Sequence, residues 1–144
     1  MNKKVLLTGI SGYIGLHCAK ILLEKGYTVV GTVRSTKKEE EVIKTLNSNS
    51  VSIENLSFVH LNLSSDKGWD SALSNCNYVM HVASPFTVEN PKNDSDMLGP
   101  AVDGTLRVLK AAKKNGVKRV VLTSSTVAMM GGKKTGTITP DDWS

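Results

Sequence analysis

The chain is poor in the residues that build disulfide frameworks, metal sites and membrane spans. Its 144 residues include two cysteines, Cys18 and Cys76, both in apolar segments that suit buried thiols. Two isolated cysteines provide neither a disulfide framework nor a cysteine metal site. No uninterrupted run of about 18 apolar residues is present, and Thr8 and Gly9 interrupt the apolar run near the start before it reaches signal-peptide length. We therefore expect a cytoplasmic protein with no metal ion and no membrane association.

Aromatic residues are also scarce, at 5% of the chain, and they do not interleave with its positive charge. The formal net charge is +5, but much of it comes from four lysine pairs that are dispersed along the chain. This pattern is typical of a solvated surface, so we expect no nucleic-acid partner. With 40% apolar and 22% charged residues, the composition is that of one globular domain covering residues 1–144.

Apolar, strand-like runs alternate with amphipathic, helix-like stretches along the chain. The predicted strands are Lys4–Thr8, Tyr27–Val33, Leu56–Leu61, Tyr78–Val82 and Arg119–Thr123, and the predicted helices are Tyr13–Lys25, Lys38–Leu46, Lys67–Leu73 and Met97–Lys114. Helical crossovers require parallel pairing of the strands. The sequence therefore predicts an α/β fold, a Rossmann-type doubly wound parallel sheet with strand order 3-2-1-4-5. Gly26 and Gly116 follow helix-like stretches as predicted left-handed C-caps.

Three evenly spaced glycines, Gly9, Gly12 and Gly15, follow the first predicted strand and open the first predicted helix. In a dinucleotide-binding turn the first glycine permits a sharp bend and the second lets the backbone approach a pyrophosphate. The third allows close packing of helix on strand. The free N–H groups at the helix start favour a bound phosphate. The spacing between a strand and a helix therefore predicts a dinucleotide site.

Arg34 stands at the end of the second predicted strand, where an acidic side chain would bind the ribose hydroxyls of NAD. A guanidinium suits a 2′-phosphate through bidentate hydrogen bonds, so the sequence indicates NADP(H). The alternative is an arginine that simply ends a strand in solvent. Lys37 or Lys38 adds positive charge from the next helix start, or belongs to the plain surface.

Three hydroxyl residues, Thr123, Ser124 and Ser125, follow the fifth predicted strand at the edge where ligands bind in parallel sheets. A serine there can donate a hydrogen bond to a carbonyl oxygen and stabilise its negative charge as hydride arrives at the carbon. Equally, the hydroxyl groups could satisfy backbone groups at the strand end. Residues 131–139 are predicted to form a mobile loop beside this edge.

Five segments together resemble the extended short-chain dehydrogenase/reductases of the NAD-dependent epimerase/dehydratase superfamily. They are the fingerprint Thr8–Gly15, Gly31–Arg34, His81–Pro85, Val102–Leu109 and Val121–Ser125, and residues 141–144 are similar to the family's acidic-Trp-Ser segment. Within this family the match is to dihydroflavonol 4-reductase-like and cinnamoyl-CoA reductase-like carbonyl reductases. The resemblance covers essentially the whole chain in the same order.

The resemblance implies a role for each matching residue. It assigns the pyrophosphate-binding turn to Gly9, Gly12, Tyr13, Ile14 and Gly15, the 2′-phosphate to Arg34, the adenine side to Asn62 and Leu63, and the ribose and nicotinamide side to Val82, Ala83 and Ser84. Ser11, Lys38 and Thr123 complete the predicted coenzyme-binding set. Ser125 matches the catalytic serine. The family usually has Asp-Leu where this chain has Asn62-Leu63, so the adenine contact lacks a charge. For His81 we favour a packing role over a general acid.

The family's proton donor is a tyrosine with a lysine four residues later, and this chain has no such pair. Tyr13, Tyr27 and Tyr78 are its tyrosines, and none has the lysine. We therefore expect an incomplete, amino-terminal portion of an oxidoreductase, with little or no turnover and weak coenzyme affinity. The longer form would act on a small-molecule aldehyde or ketone, and the resemblance brings flavonoid-like compounds into this class. The fifth strand would become an exposed apolar edge, which predicts self-association.

Two other functions remain open on the sequence. One is a non-catalytic nucleotide-sensing or interaction module on the same fold, for which the missing tyrosine and lysine would be the native condition. The other is the nucleotide-sugar epimerase or dehydratase branch, which commonly uses NAD, and Arg34 argues against it. Substrate identity is not predicted; the residues that could line the remaining side are Pro85, Phe86, Thr126, Val127 and Met129.

Overall fold

The chain forms one parallel sheet with helices on both faces. The computed structural model describes residues 3–85, 93, 95–131 and 135–142. The strands are β1 (Lys4–Thr8), β2 (Thr28–Val33), β3 (Leu56–His60), β4 (Tyr78–His81) and β5 (Arg119–Leu122). The helices are α1 (Tyr13–Glu24), α2 (Thr36–Ser48), α3 (Trp69–Leu73), α4 (Ser95–Lys114) and α5 (Thr126–Met130).

The strand order is β3-β2-β1-β4-β5, and every pairing is parallel. The predicted order 3-2-1-4-5 is therefore confirmed. β1 lies at the centre, where Val5 pairs with Val29 of β2 on one side and Thr8 pairs with His81 of β4 on the other. The chain reverses its winding direction beside β1, which is where ligands bind in sheets of this kind.

Alternate residues of the strands point to opposite faces and build two separate cores. Leu6 of β1 belongs to the core under α3 and α4, whereas its neighbour Leu7 belongs to the core under α1 and α2. Both leucines are fully buried. The central strand is therefore covered on both faces, which explains why its sequence is continuously apolar.

Two helices end at the predicted glycines. Gly26 and Gly116 have φ values of +75° and +66°, a left-handed conformation that glycine adopts without steric cost. After α1 the N–H of Tyr27 donates to the carbonyl of Leu22 at 3.0 Å, and after α4 the N–H of Val117 donates to that of Ala112 at 3.0 Å. These bonds satisfy carbonyl groups at the helix ends, so both predicted C-caps are confirmed.

The structure corrects the predicted number of helices, since α5 was not anticipated. It is a single exposed turn that depends on Ser125, whose side-chain oxygen accepts from the N–H of Val127 at 3.2 Å. Too short to show an apolar period, such a turn leaves no helical pattern in the sequence. α2 begins two residues earlier than predicted because Ser35 caps it, and α3 begins two residues later, after Gly68 with φ +90°.

The two cysteines are free thiols, with Cys76 buried and Cys18 half-buried. Burial raises the pKa of both thiols. Within the described ranges, no helix combines the length and apolar character needed to cross a membrane. The same ranges contain no cluster of three His, Cys, Asp or Glu side chains that could hold a metal ion.

Candidate functional site

The candidate site residues follow the carboxyl ends of the five parallel strands, which meet at one edge of the sheet. Read across the sheet from β3 to β5, these ends lead to Asn62, Arg34, Gly9, Ser84 and Ser125. The described part of the predicted set therefore lies along one crevice edge. Phe86, Trp143 and residues 132–134 of the predicted loop lie outside the described residues.

The glycine turn leaves the start of α1 open to an anion. Gly9 has φ +71°, and the N–H of Gly12 donates to its carbonyl oxygen at 3.0 Å. α1 then begins at Tyr13, and within the described structure no side chain caps it and no acidic residue occupies its first turn. The N–H groups of Tyr13, Ile14 and Gly15 have no partner within the helix because of their position in its first turn. The positive end of the helix dipole adds to this preference for negative charge.

The three glycines of the turn have different reasons for lacking a side chain. A β-carbon on Gly15 would lie 2.8 Å from the carbonyl carbon of Gly9, and one on Gly9 would lie 2.9 Å from the backbone nitrogen of Ala83. A β-carbon on Gly12 would meet nothing closer than 3.4 Å. The fold therefore requires Gly9 and Gly15, whereas Gly12 leaves space at the helix start that the described residues do not fill. That space fits the close approach of a pyrophosphate.

Ile10 and Gly31 support the turn, and the sequence analysis gave neither a role. Ile10 is fully buried, and a β-carbon on Gly31 in β2 would lie 2.6 Å from its Cδ1 atom. Glycine at this point of β2 therefore makes room for Ile10, which anchors the turn in the core. A glycine inside an otherwise β-branched strand is the signal that could have revealed this close approach.

Arg34 is exposed directly after β2, beside the glycine turn of the neighbouring strand. The next residue, Ser35, caps α2 by accepting from the N–H of Lys38 at 3.4 Å. The Lys38 ammonium lies 2.6 Å from a carboxylate oxygen of Glu41, and this hydrogen bond lowers the pKa of Glu41. Lys38 therefore has a partner on its own helix, which leaves Arg34 as the better placed of the two predicted 2′-phosphate ligands.

The segment after β3 is fixed by its own turn and by α4. The Asn62 side-chain oxygen accepts from the N–H of Ser64 at 2.9 Å, and its amide nitrogen still has two hydrogens to donate in the predicted adenine contact. Arg107 of α4 donates to the carbonyl of Leu63 and pairs with Asp66. No role was predicted for Arg107, because only the packing of α4 against this segment brings its side chain to Leu63 and Asp66.

The segment after β4 is held against the glycine turn by Thr8. The Thr8 hydroxyl oxygen accepts from the N–H groups of Val82 at 3.1 Å and Ala83 at 3.0 Å. It also lies 2.6 Å from Nδ1 of His81. Both Thr8 and His81 are buried, and burial lowers the pKa of His81. This geometry fits the predicted placement of Val82 and Ala83 in the crevice wall and gives His81 a hydrogen bond as well as a packing role.

The segment after β5 presents the hydroxyl residues at the open end of the crevice. The N–H of Thr123 donates to the carbonyl of His81 at 3.0 Å, which joins this segment to β4. Ser125 is exposed, and its oxygen accepts from the Val127 N–H as the cap of α5. A hydroxyl that accepts one hydrogen bond still has its own hydrogen to donate. Capping α5 and donating to a carbonyl oxygen are therefore compatible roles for Ser125.

Comparison with known proteins identifies the family of the chain. Residues 5–142 match the model of the NAD dependent epimerase/dehydratase family. The chain is 37% identical over 145 residues to cinnamoyl-CoA reductase CAD2 of Medicago truncatula, covering 99% of this chain and 44% of that protein. It is 36% identical over 127 residues to dihydroflavonol 4-reductase of Dianthus caryophyllus, covering 86% of this chain and 34% of that protein.

A solved structure shows that the likeness extends to the three-dimensional fold. The yeast methylglyoxal/isovaleraldehyde reductase Gre2, crystallised with NADPH, matches with a TM-score of 0.81 at 30% identity over 97% of this chain and 43% of that one. The chain thus spans about two fifths of the length of the proteins it matches, from 34% to 44% in these three comparisons.

Proposed function

Because this chain belongs to the NAD-dependent epimerase/dehydratase family, we propose that it forms the NADP(H)-binding portion of a carbonyl reductase. One observation carries the proposal. An uncapped helix start that follows a glycine turn lies beside an exposed arginine, Arg34, at the end of the adjacent strand. The first feature suits a pyrophosphate and the second suits a 2′-phosphate.

The glycine turn would hold the pyrophosphate through backbone N–H groups. Those of Tyr13, Ile14 and Gly15 lie in the first turn of α1, and the missing side chain of Gly12 leaves room for the phosphates. This binding needs no positive side chain because the helix start is itself an anion site. The nicotinamide would then extend towards Ser84 and Ser125, and the adenosine towards Arg34 and Asn62.

Arg34 would select the phosphorylated coenzyme. Ser35 and Thr36, which follow it, carry no charge, and the side chain that ends β2 is a cation rather than the carboxylate that binds the ribose hydroxyls of NAD. This favours NADP(H) over the NAD typical of the epimerase and dehydratase branch. Lys38 remains part of the predicted site, but it would have to leave Glu41 to reach the phosphate.

Ser125 would donate its hydroxyl hydrogen to the carbonyl oxygen of an aldehyde or ketone as hydride reaches the carbon. Protonation of that oxygen requires a second group. The residues four positions after Tyr13, Tyr27 and Tyr78 are His17, Gly31 and Val82, so none of these tyrosines has the lysine partner. We propose that turnover needs a proton donor outside these 144 residues. The 144-residue chain by itself would then have little or no turnover.

Coenzyme titration tests the binding half of the proposal. NADPH and NADH are titrated by nicotinamide fluorescence into the wild type, Arg34→Ala and Arg119→Ala. Arg119 is the matched control, since it is also exposed but lies at the start of β5, at the amino ends of the strands. A phosphate contact of about 1.5–3 kcal/mol predicts that Arg34→Ala weakens NADPH about 10- to 100-fold and leaves NADH unchanged. Equal losses for both variants, or no preference of the wild type for NADPH, would contradict the assignment.

Restoring a longer protein tests the catalytic half. In a chain that supplies the tyrosine and lysine, Ser125→Ala should lower kcat about 10²-fold or more, with NADPH affinity unchanged, because one oxyanion donor is lost. Ser124→Ala, which removes the neighbouring exposed hydroxyl, should retain activity. If the longer protein binds NADPH but reduces no carbonyl compound, a nucleotide-sensing module becomes the better reading.

A further inference from the structure

Thr8 and His81 form a buried polar pair between the two central strands. They are opposed residues of β1 and β4, and their exposed fractions are 0% and 1%. Leu6 and Val79, two residues earlier on the same strands, belong to the core under α3 and α4. Because side chains alternate along a strand, Thr8 and His81 face the same side as this apolar core. A polar pair in such surroundings is costly unless its hydrogen bonds are made.

The hydrogen bonds of Thr8 fix the protonation of His81. A threonine hydroxyl has one hydrogen to donate and two lone pairs that accept. The N–H groups of Val82 and Ala83, at 3.1 Å and 3.0 Å, occupy both lone pairs. The remaining contact, 2.6 Å to Nδ1 of His81, must therefore be a bond in which Thr8 donates. Nδ1 is consequently unprotonated, and the neutral ring carries its hydrogen on Nε2. Burial, which lowers the pKa of His81, favours the same neutral form.

We propose that His81 is a positioning residue for the coenzyme site. By accepting the hydrogen of Thr8, it turns both lone pairs of that hydroxyl towards Val82 and Ala83 and holds the segment after β4 in place. That segment lies directly against the glycine turn, because a β-carbon on Gly9 would come within 2.9 Å of the Ala83 nitrogen. The effect of His81 on coenzyme affinity rests on the proposed function, whereas its effect on the segment does not.

A role in packing alone explains His81 less well. Nε2 is buried, and no hydrogen-bond partner for it is present among the described residues. With the hydrogen on Nε2, this leaves a buried donor unsatisfied, which is unfavourable. An aliphatic side chain would fill the space without that cost, but it would leave the Thr8 hydrogen without an acceptor. What distinguishes histidine here is the acceptor at Nδ1.

Two isosteric variants of the 144-residue chain separate these roles. Asparagine at position 81 has an oxygen at the place of Nδ1, attached to the same carbon, and can accept from Thr8. Leucine has the same shape and no acceptor. Hydrogen exchange of the Val82 and Ala83 amides should be about five- to tenfold faster in His81→Leu than in the wild type and close to normal in His81→Asn. The Val30 amide of β2 reports global unfolding and should not follow this pattern.

Two further measurements complete the test. Nitrogen NMR of the imidazole should show the neutral Nε2–H tautomer in the wild type at pH 7. NADPH affinity should fall about five- to tenfold in His81→Leu and recover in His81→Asn. If His81→Leu does not fold, the tautomer measured in the wild type still decides whether His81 accepts from Thr8.

An Nδ1–H tautomer, or equal amide exchange in the asparagine and leucine variants, would overturn the proposal. Failure of the wild type to bind NADPH would instead contradict the proposed function, since the tautomer and exchange measurements need no coenzyme.

Discussion

The strands on the two sides of β1 are buried to different extents: the side that contains β2 is well covered, and the side that contains β5 is exposed. In β2, Val29 and Val33 are 0% and 2% exposed, whereas in β5 Val121 and Leu122 are 50% and 49% exposed. β2 lies between β1 and β3 with α1 and α2 packed on one face. Among the described strands, β5 is at the edge and pairs only with β4. A groove of about 530 Å³ opens beside it, lined by Leu22, Tyr27, Tyr78, Met80 and Val121 among others.

This difference separates two tasks along the crevice. The elements proposed to hold adenosine and pyrophosphate stand on the well-covered side, where Ile10 and Arg107 fix the backbone segments. The residues proposed to lie beside the nicotinamide and to bind the carbonyl oxygen, Ser84 and Ser125 respectively, are exposed on the other side. As proposed, coenzyme recognition would therefore depend on segments packed against the buried core, whereas the reaction side would be exposed within the described residues.

The largest expected effect is in the glycine turn, at the centre of the well-covered side. Gly15→Ala should lower the free energy of unfolding by about 3 kcal/mol, because its β-carbon would collide with the Gly9 carbonyl group. Gly12→Ala should cost less than about 1 kcal/mol but still abolish detectable NADPH binding, since its methyl group would occupy the space at the helix start. Urea denaturation and coenzyme titration of both variants measure the two effects. Equal destabilisation by both would contradict this division of roles.

The same truncation in β2 and in β5 tests the comparison directly. Val29→Ala should cost about 2–3 kcal/mol because it removes two buried methyl groups and leaves a cavity. Val121→Ala should cost less than about 1 kcal/mol, since half of its side chain is already in water. Urea denaturation measures both costs, from the shift of the midpoint concentration when the dependence of the free energy of unfolding on urea is unchanged. Similar costs would mean that β5 is covered in solution, for example by a second copy of the chain.

The pH dependence of stability should come in part from His81, on the boundary between the two sides. Burial lowers its pKa in the folded state below the ordinary value of 6.5, so the unfolded chain binds more protons below about that pH. Stability should therefore be fully present above pH 6.5 and decrease as the pH falls below it, by at most about 1.4 kcal/mol per pH unit. In His81→Asn, the free energy of unfolding should lose this part of its pH dependence. His17 and His60 are present in both proteins, so the difference between the two denaturation series isolates His81.

The smallest expected effect on stability, but a clear one on association, is at the β5 edge. An exposed apolar edge strand favours pairing with another chain, and a lysine there opposes it. Val121→Lys should shift sedimentation at high concentration towards the monomer, with a stability change within about 0.5 kcal/mol. Val102→Lys is the matched control, since Val102 is 51% exposed on α4. A monomeric wild type would refute the predicted self-association.

Local sequence patterns predicted the elements that depend on local chemistry. The apolar run before Gly9 gave the bounds of β1, and Gly26 and Gly116 gave the ends of α1 and α4 within one residue. α5 was missed because a single turn capped by Ser125 has no period to detect. The roles of Ile10, Gly31 and Arg107 were missed because each involves a contact between segments that are distant in the sequence.

The sequence by itself determined the alternation of strands and helices, the strand order and the anion-binding turn, because periodicity, glycine geometry and crossover rules are local or nearly so. Only the tertiary structure decided which polar groups already have partners. It directed Arg107 to Leu63 and Thr8 to His81. Those choices depend on distances between segments that pack together, and hydrogen bonding changes steeply over such distances.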